Sequence, residues 1–113
     1  MQNVQKIKTQ VSIDYQQIVE FCHRWKITEF ALFGSILRDD FHPESSDIDV
    51  LVSFAPDAHW TLLDLVDMEE DIQKIFQRKV DLVSRRGIER SQNYLRRQTI
   101  LNSAKKFSLP YEN

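Results

Sequence analysis

Leu32-Phe33-Gly34-Ser35 and, after eleven intervening residues, Asp47-Ile48-Asp49-Val50-Leu51-Val52 set two apolar runs around one glycine turn and one pair of carboxylates. Alternate side chains of a strand share a face, so Asp47 and Asp49 project together, about 7 Å apart along the backbone. Val50 and Val52 point the other way, into a core, and Leu51 shares the aspartate face further along. Two like charges on one face repel, and each is costly to bury without a counter-charge. A divalent cation removes that cost. Hard Mg2+ prefers carboxylate oxygens, keeps several waters and completes its shell with substrate phosphates. Two such ions lie about 3.5–4 Å apart in two-metal phosphoryl-transfer sites. Gly34 and Ser35 supply the complementary half. Glycine lets backbone approach a phosphate, a helical turn opening at Ser35 exposes N–H groups, and Arg38 one turn later reaches phosphate oxygens.

A third carboxylate, Asp81, interrupts the aliphatic run Val80-Asp81-Leu82-Val83. Aspartate is unfavourable in mid-strand. If this strand pairs beside the second one, Asp81 joins the cluster, holds one metal and accepts a proton from an incoming hydroxyl. A lone Gly-Ser marks a turn, and a lone Asp-x-Asp is commonly a surface pair. The weight lies in finding all three features at strand ends or mid-points.

Around these runs the periodicity predicts a helix over Ser12 to Trp25, with Ile18, Phe21, Cys22 and Trp25 on its apolar face and Ser12 as its cap. Strands follow at Ile27 to Phe33 and Ile48 to Phe54, joined through helical turns over Ser35 to Asp39 and a loop over Phe41 to Ser46. Thr61 to Gln77 reads as an amphipathic helix burying Leu62, Leu65, Val66, Ile72, Ile75 and Phe76, with Met68 near the edge. It is long enough to cross between parallel strands, the second of them Val80 to Val83. A last helix is expected from Ile88 to about Ser103, and a loosely held tail from Phe107. The expected class is α/β (α+β): one domain over 1–113, core about 12–104, with a small mixed sheet of about three strands and helices packed on it.

Length and composition agree. The 113 residues suit one domain, and 42% hydrophobic with 28% charged residues is ordinary globular composition. The single cysteine, Cys22, excludes a disulfide-stapled secreted scaffold, and a reducing cytoplasm fits. No apolar run reaches the roughly 20 residues of a membrane span. Charge is uneven: residues 1–83 hold 8 Lys+Arg against 15 Asp+Glu, and residues 84–113 hold 7 against 2. The basic segment reads as a solvated helix face or a dock for an acidic partner surface, through Arg90, Arg96, Arg97, Lys105 and Lys106. Direct nucleic-acid binding is not expected. Arg85 and Arg86 lie just after the third strand, where they either steer a nucleotide or stand as a solvated pair. His23, His42 and His59 show no metal-ligand spacing.

The residues Leu32 to Phe41, Ser46 to Val52 and Val80 to Val83 together resemble the minimal nucleotidyltransferases of the DNA polymerase β superfamily. More closely, the chain resembles the antitoxin halves of HEPN/MNT toxin–antitoxin pairs. The resemblance implies a polymerase β-like nucleotidyltransferase fold and a cytoplasmic, metal-dependent enzyme that moves AMP from ATP to a hydroxyl. By position it implies that Asp47 and Asp49 bind two Mg2+ ions, that Asp81 binds one, and that Gly34 and Ser35 hold the nucleotide phosphates. The implied acceptor is a tyrosine of a helical HEPN toxin, with which the chain would assemble. Two departures stand out: the Ser35–Asp47 interval is one residue longer than the usual pattern, and Asp39 replaces a common glycine. The competing reading is a binding module that silences its partner by contact alone, although such a module need not carry three mutually repelling carboxylates.

Overall fold

The computed structural model describes residues 13–34, 47–107 and 109–110. Its elements run α1 (Tyr15–Arg24), β1 (Ile27–Phe33), β2 (Ile48–Phe54), α2 (Leu62–Phe76), β3 (Val80–Ser84), α3 (Arg85–Glu89), α4 (Tyr94–Ser103) and β4 (Lys105–Lys106). The strands form one mixed sheet in the order β3-β2-β1-β4. β1 is antiparallel to β2 and to β4, whereas β2 and β3 are parallel, with α2 as the crossover.

Local chemistry sets most boundaries. Asp14 caps α1 by accepting from the Gln17 N–H at 3.2 Å, so the cap is Asp14 rather than the expected Ser12, which lies outside the described residues. Thr61 and Asp64 form a reciprocal capping box at the start of α2, and Gln77 ends that helix in the left-handed conformation. The single last helix expected from Ile88 is instead two. Asn93 accepts from the Arg96 N–H at 3.1 Å and starts α4 afresh, because an asparagine side chain competes with the helical backbone.

Helices cover both faces of the sheet. On one, Ile18, Phe21 and Cys22 of α1 and Met68, Ile72 and Phe76 of α2 pack on Phe30, Leu32, Ile48, Val50, Val52 and Val80. On the other, Ile88 of α3 and Ile100 of α4 pack on Ala31, Phe33 and Leu51. Two expectations fail here. The segment from Phe107 is not loose. β4 pairs with β1, the Phe107 N–H donates to the Phe30 carbonyl at 2.8 Å, and Phe107 and Leu109 are buried. The buried face of α2 is also shorter than expected, since Leu62, Leu65 and Val66 are exposed while Met68 is fully buried. Leu62, Leu65 and Val66 line an open groove beside Val52, Phe54 and Leu82, and close packing on the sheet begins at Met68.

Candidate functional site

β1 ends at Phe33, whose register partner on β2 is Asp49. Asp49 in turn stands opposite Asp81 of β3. Parallel neighbours in register share a face, about 4.8 Å apart. Asp49 and Asp81 therefore project on the α3/α4 side, together with Phe33 and Leu51, and Val50 and Val52 enter the opposite core as expected. Asp47 immediately precedes β2 and is exposed, as is Asp81, while Asp49 is half-buried.

Gly34 closes this end. Its φ is +79°, a conformation in which side chains are strained. A Cβ built there would overlap Asp49 Oδ2 and sit 3.2 Å from Asp49 Cγ. Glycine is thus required twice, by backbone conformation and by the carboxylate pressed against it. The group that approaches Gly34 here is Asp49, where the sequence pattern points to a phosphate. Ser35 and Arg38 lie outside the described residues, as do His42 and the loop containing Pro43.

The donor set is made of hard carboxylate oxygens, the chemistry Mg2+ selects. Among the described residues, no three acidic, histidine or cysteine side chains converge as a closed ligand cage. An open pair of carboxylates suits an ion that retains waters and takes its remaining ligands from phosphates. Asp47, Asp49 and Asp81 are the residues that could hold it.

At the far end of the same face lies a group that sequence reasoning missed. Glu29 of β1 accepts from Arg85 Nε at 2.6 Å and Nη2 at 2.8 Å, and from Ser53 Oγ at 2.7 Å. Burial alone pushes the Glu29 carboxyl up. The hydrogen bonds from Arg85 and Ser53 and the nearby positive charges of Arg85 and Lys106 outweigh it and hold the carboxyl below its ordinary range. The same pairing raises Arg85. Arg85 is therefore committed to anchoring α3 across β1 and β2, which removes the reading of a nucleotide-steering arginine; Arg86 is exposed. Two residues of opposite charge at strand and helix starts, far apart in sequence, gave no local signal of pairing.

A nucleotidyltransferase domain model matches residues 15–107, most of the chain. The chain belongs to the nucleotidyltransferase domain family. Within that family, the domain is 34% identical over 65 residues to MJ1379 of Methanocaldococcus jannaschii, which bears the provisional name protein adenylyltransferase. That match covers 58% of this chain and 64% of the relative, so it spans somewhat less than two thirds of the relative's length. A solved structure described as a minimal nucleotidyltransferase is 30% identical, with a TM-score of 0.61 over 80% of this chain and 85% of the other. The Shewanella oneidensis complex of a tri-AMPylated HEPN toxin with its MNT antitoxin shares the fold. There the TM-score is 0.56, with 19% identity over 83% of this chain and 68% of that one. The nucleotidyltransferase fold expected from the sequence is thus present, with four strands where about three were expected. No helix among the described residues is long and apolar enough to cross a membrane.

Proposed function

We propose that this nucleotidyltransferase domain transfers AMP from ATP to a tyrosine hydroxyl of a helical, HEPN-type toxin and so acts as its antitoxin. The observation that carries the reading is the register of Asp49 with Asp81 beside the Gly34 turn. It gathers negative charge at one end of the sheet, which supports a cation-assisted reaction there. The name of the Methanocaldococcus relative and the AMPylated toxin of the Shewanella complex support the choice of reaction and partner.

In this reading Asp47 and Asp49 hold two Mg2+ ions and Asp81 one, while Gly34, Ser35 and Arg38 receive the nucleotide phosphates. When bound, Mg2+ neutralises the carboxylates and polarises the α-phosphoryl group. Asp81 is exposed, so an acceptor hydroxyl can approach it from solvent. The hydroxyl oxygen bonds to the α-phosphorus, the bond to the β-phosphate oxygen breaks, and pyrophosphate leaves. Asp81 takes the hydroxyl proton. In this reading a docked protein partner brings its own hydroxyl into line.

The test mixes this protein, ATP with Mg2+ and the helical protein encoded beside it, and weighs the partner intact. A gain of one or more AMP units, absent with Asp81→Ala, is expected. A tight complex that silences the partner without a mass change would replace this reading with the contact-only module.

A further inference from the structure

Three rows of residues cross β1, β2 and β3 on the aspartate face. In the first, Phe33 stands opposite Asp49 and Asp49 opposite Asp81. In the second, Ala31 stands opposite Leu51 and Leu51 opposite Val83. In the third, Glu29 stands opposite Ser53, and the residue that follows β3 at that level is Arg85. The interval between the third row and the first is the same on each strand, 29–33, 49–53 and 81–85, or about 13 Å of extended chain. The third row is bonded from side to side: Glu29 accepts from two nitrogens of the Arg85 guanidinium and from the Ser53 hydroxyl. The ion pair is partly withdrawn from water, with the Arg85 side chain 30% and the Glu29 side chain 13% exposed. A two-bond guanidinium–carboxylate fork fixes geometry as well as supplying attraction.

We propose that Glu29, Ser53 and Arg85 form a register clamp, a set of positioning residues that holds Asp81 level with Asp49. β3 is an edge strand of five residues beside β2, and parallel pairing is the weaker kind. Alternation fixes its register only in part. A slip of one residue would turn Val80 out of the core and Asp81 into it, so burial excludes that slip. A slip of two leaves every side chain on its own face, and alternation does not oppose it. Such a slip would carry Asp81 to the level of Asp47 or Leu51. It would also move Arg85 by about 6–7 Å, enough to break the fork on Glu29. α2 brings β3 alongside β2, and Gln73 of that helix accepts from the Val80 N–H at 3.0 Å, which tethers the start of the strand. The clamp fixes its other end. The inference rests on the proposed function only in giving Asp81 a part in the chemistry; the register itself is a property of the fold.

The test is NMR of the full chain carrying Arg85→Met. Amides that join β3 to β2 should exchange with solvent about tenfold faster or more, while those that join β1 to β2 keep their protection. Cross-strand nuclear Overhauser contacts between Asp49 and Asp81 should weaken or shift by two residues. Arg85→Lys keeps the charge without the fork, so its effect should be intermediate, and it takes the place of Arg85→Met if that variant does not fold. Mn2+ supplies a second readout: it should broaden the Asp49 and Asp81 amides alike in the unaltered protein, and Asp49 more than Asp81 in Arg85→Met. In transfer assays kcat should fall about tenfold with little change in KM for ATP, because on the proposed reading β1 and β2 hold the nucleotide. Protection lost evenly over all three strands would make the group an ordinary stabilising ion pair and overturn the proposal. So would β3 amides and cross-strand contacts that do not change. If Mn2+ broadens neither aspartate in the unaltered protein, it is the metal reading that fails, and the exchange pattern still decides the clamp.

Discussion

The two faces of the sheet are built from the same three principal strands and do opposite things. Toward α1 and α2 the strands present Phe30, Leu32, Ile48, Val50, Val52 and Val80, which pack into the main core. Toward α3 and α4 they present Phe33, Ala31 and Leu51 in the middle, the aspartates at one end and the Glu29–Ser53–Arg85 group at the other. One face is the main core, with an open groove at its Val52–Leu82 end. The other is a short apolar patch between two charged ends, with Glu29 paired to Arg85 at one and Asp47 and Asp81 exposed at the other. Period-two alternation lets one strand serve both purposes, because a residue added to the aspartate face removes nothing from the core face.

The sharpest way to break this contrast is Asp49→Asn. On the proposed reading, transfer falls about a thousandfold or more, some 4 kcal/mol of transition-state stabilisation, while the melting temperature changes little. A stopped assay with labelled ATP beside a thermal melt reads both; retained transfer would dissociate the carboxylates from the chemistry. The opposite substitution is Phe107→Ala on the core face. Phe107 is fully buried, stacks on Tyr15 and meets Phe30 edge to face. Its loss should cost about 3–4 kcal/mol in denaturant unfolding. A cost below about 1 kcal/mol would show that the C-terminal segment is not part of the core after all.

Gly34→Ala lies at the junction of the two faces. The strained φ costs about 1 kcal/mol of stability, and the added methyl must displace the Asp49 carboxylate. Mn2+ affinity, measured by paramagnetic relaxation, should fall more than stability does. Equal Mn2+ affinity in both proteins would show that Asp49 either tolerates the shift or binds no ion.

The smallest effect concerns the charged end that is already paired. Because its carboxyl is held below the ordinary range, Glu29 contributes stability above the unfolded-state value near 4.5 and loses it as pH falls through the lower folded-state value. Glu29→Gln should lower stability by about 1–2 kcal/mol at pH 7 and flatten the acid limb of the stability curve below pH 4.5. An acid limb unchanged by the substitution would mean that the Arg85 pairing adds no net stability.

The sequence by itself determined the strands at Ile27–Phe33 and Ile48–Phe54, the crossover helix and the opposite faces of Asp49 and Val50. Each of these follows from periodicity and from capping or turn residues within a few positions, and local chemistry suffices for them. Tertiary structure alone decided the rest. Asp81 stands beside Asp49 because β3 pairs parallel to β2 in that register, and the register depends on how α2 spans the sheet. Leu62 and Val66 carry the same helical spacing as Ile72 and Phe76, yet they are exposed, lining an open groove beside Val52, Phe54 and Leu82 instead of packing on them. Phe107, in a polar segment with little local preference, is buried because β1 has an open edge for Lys105 and Lys106 to fill. Hydrophobic spacing shows which side chains lie together along an element. Whether anything lies opposite them depends on contacts with residues far away in the chain.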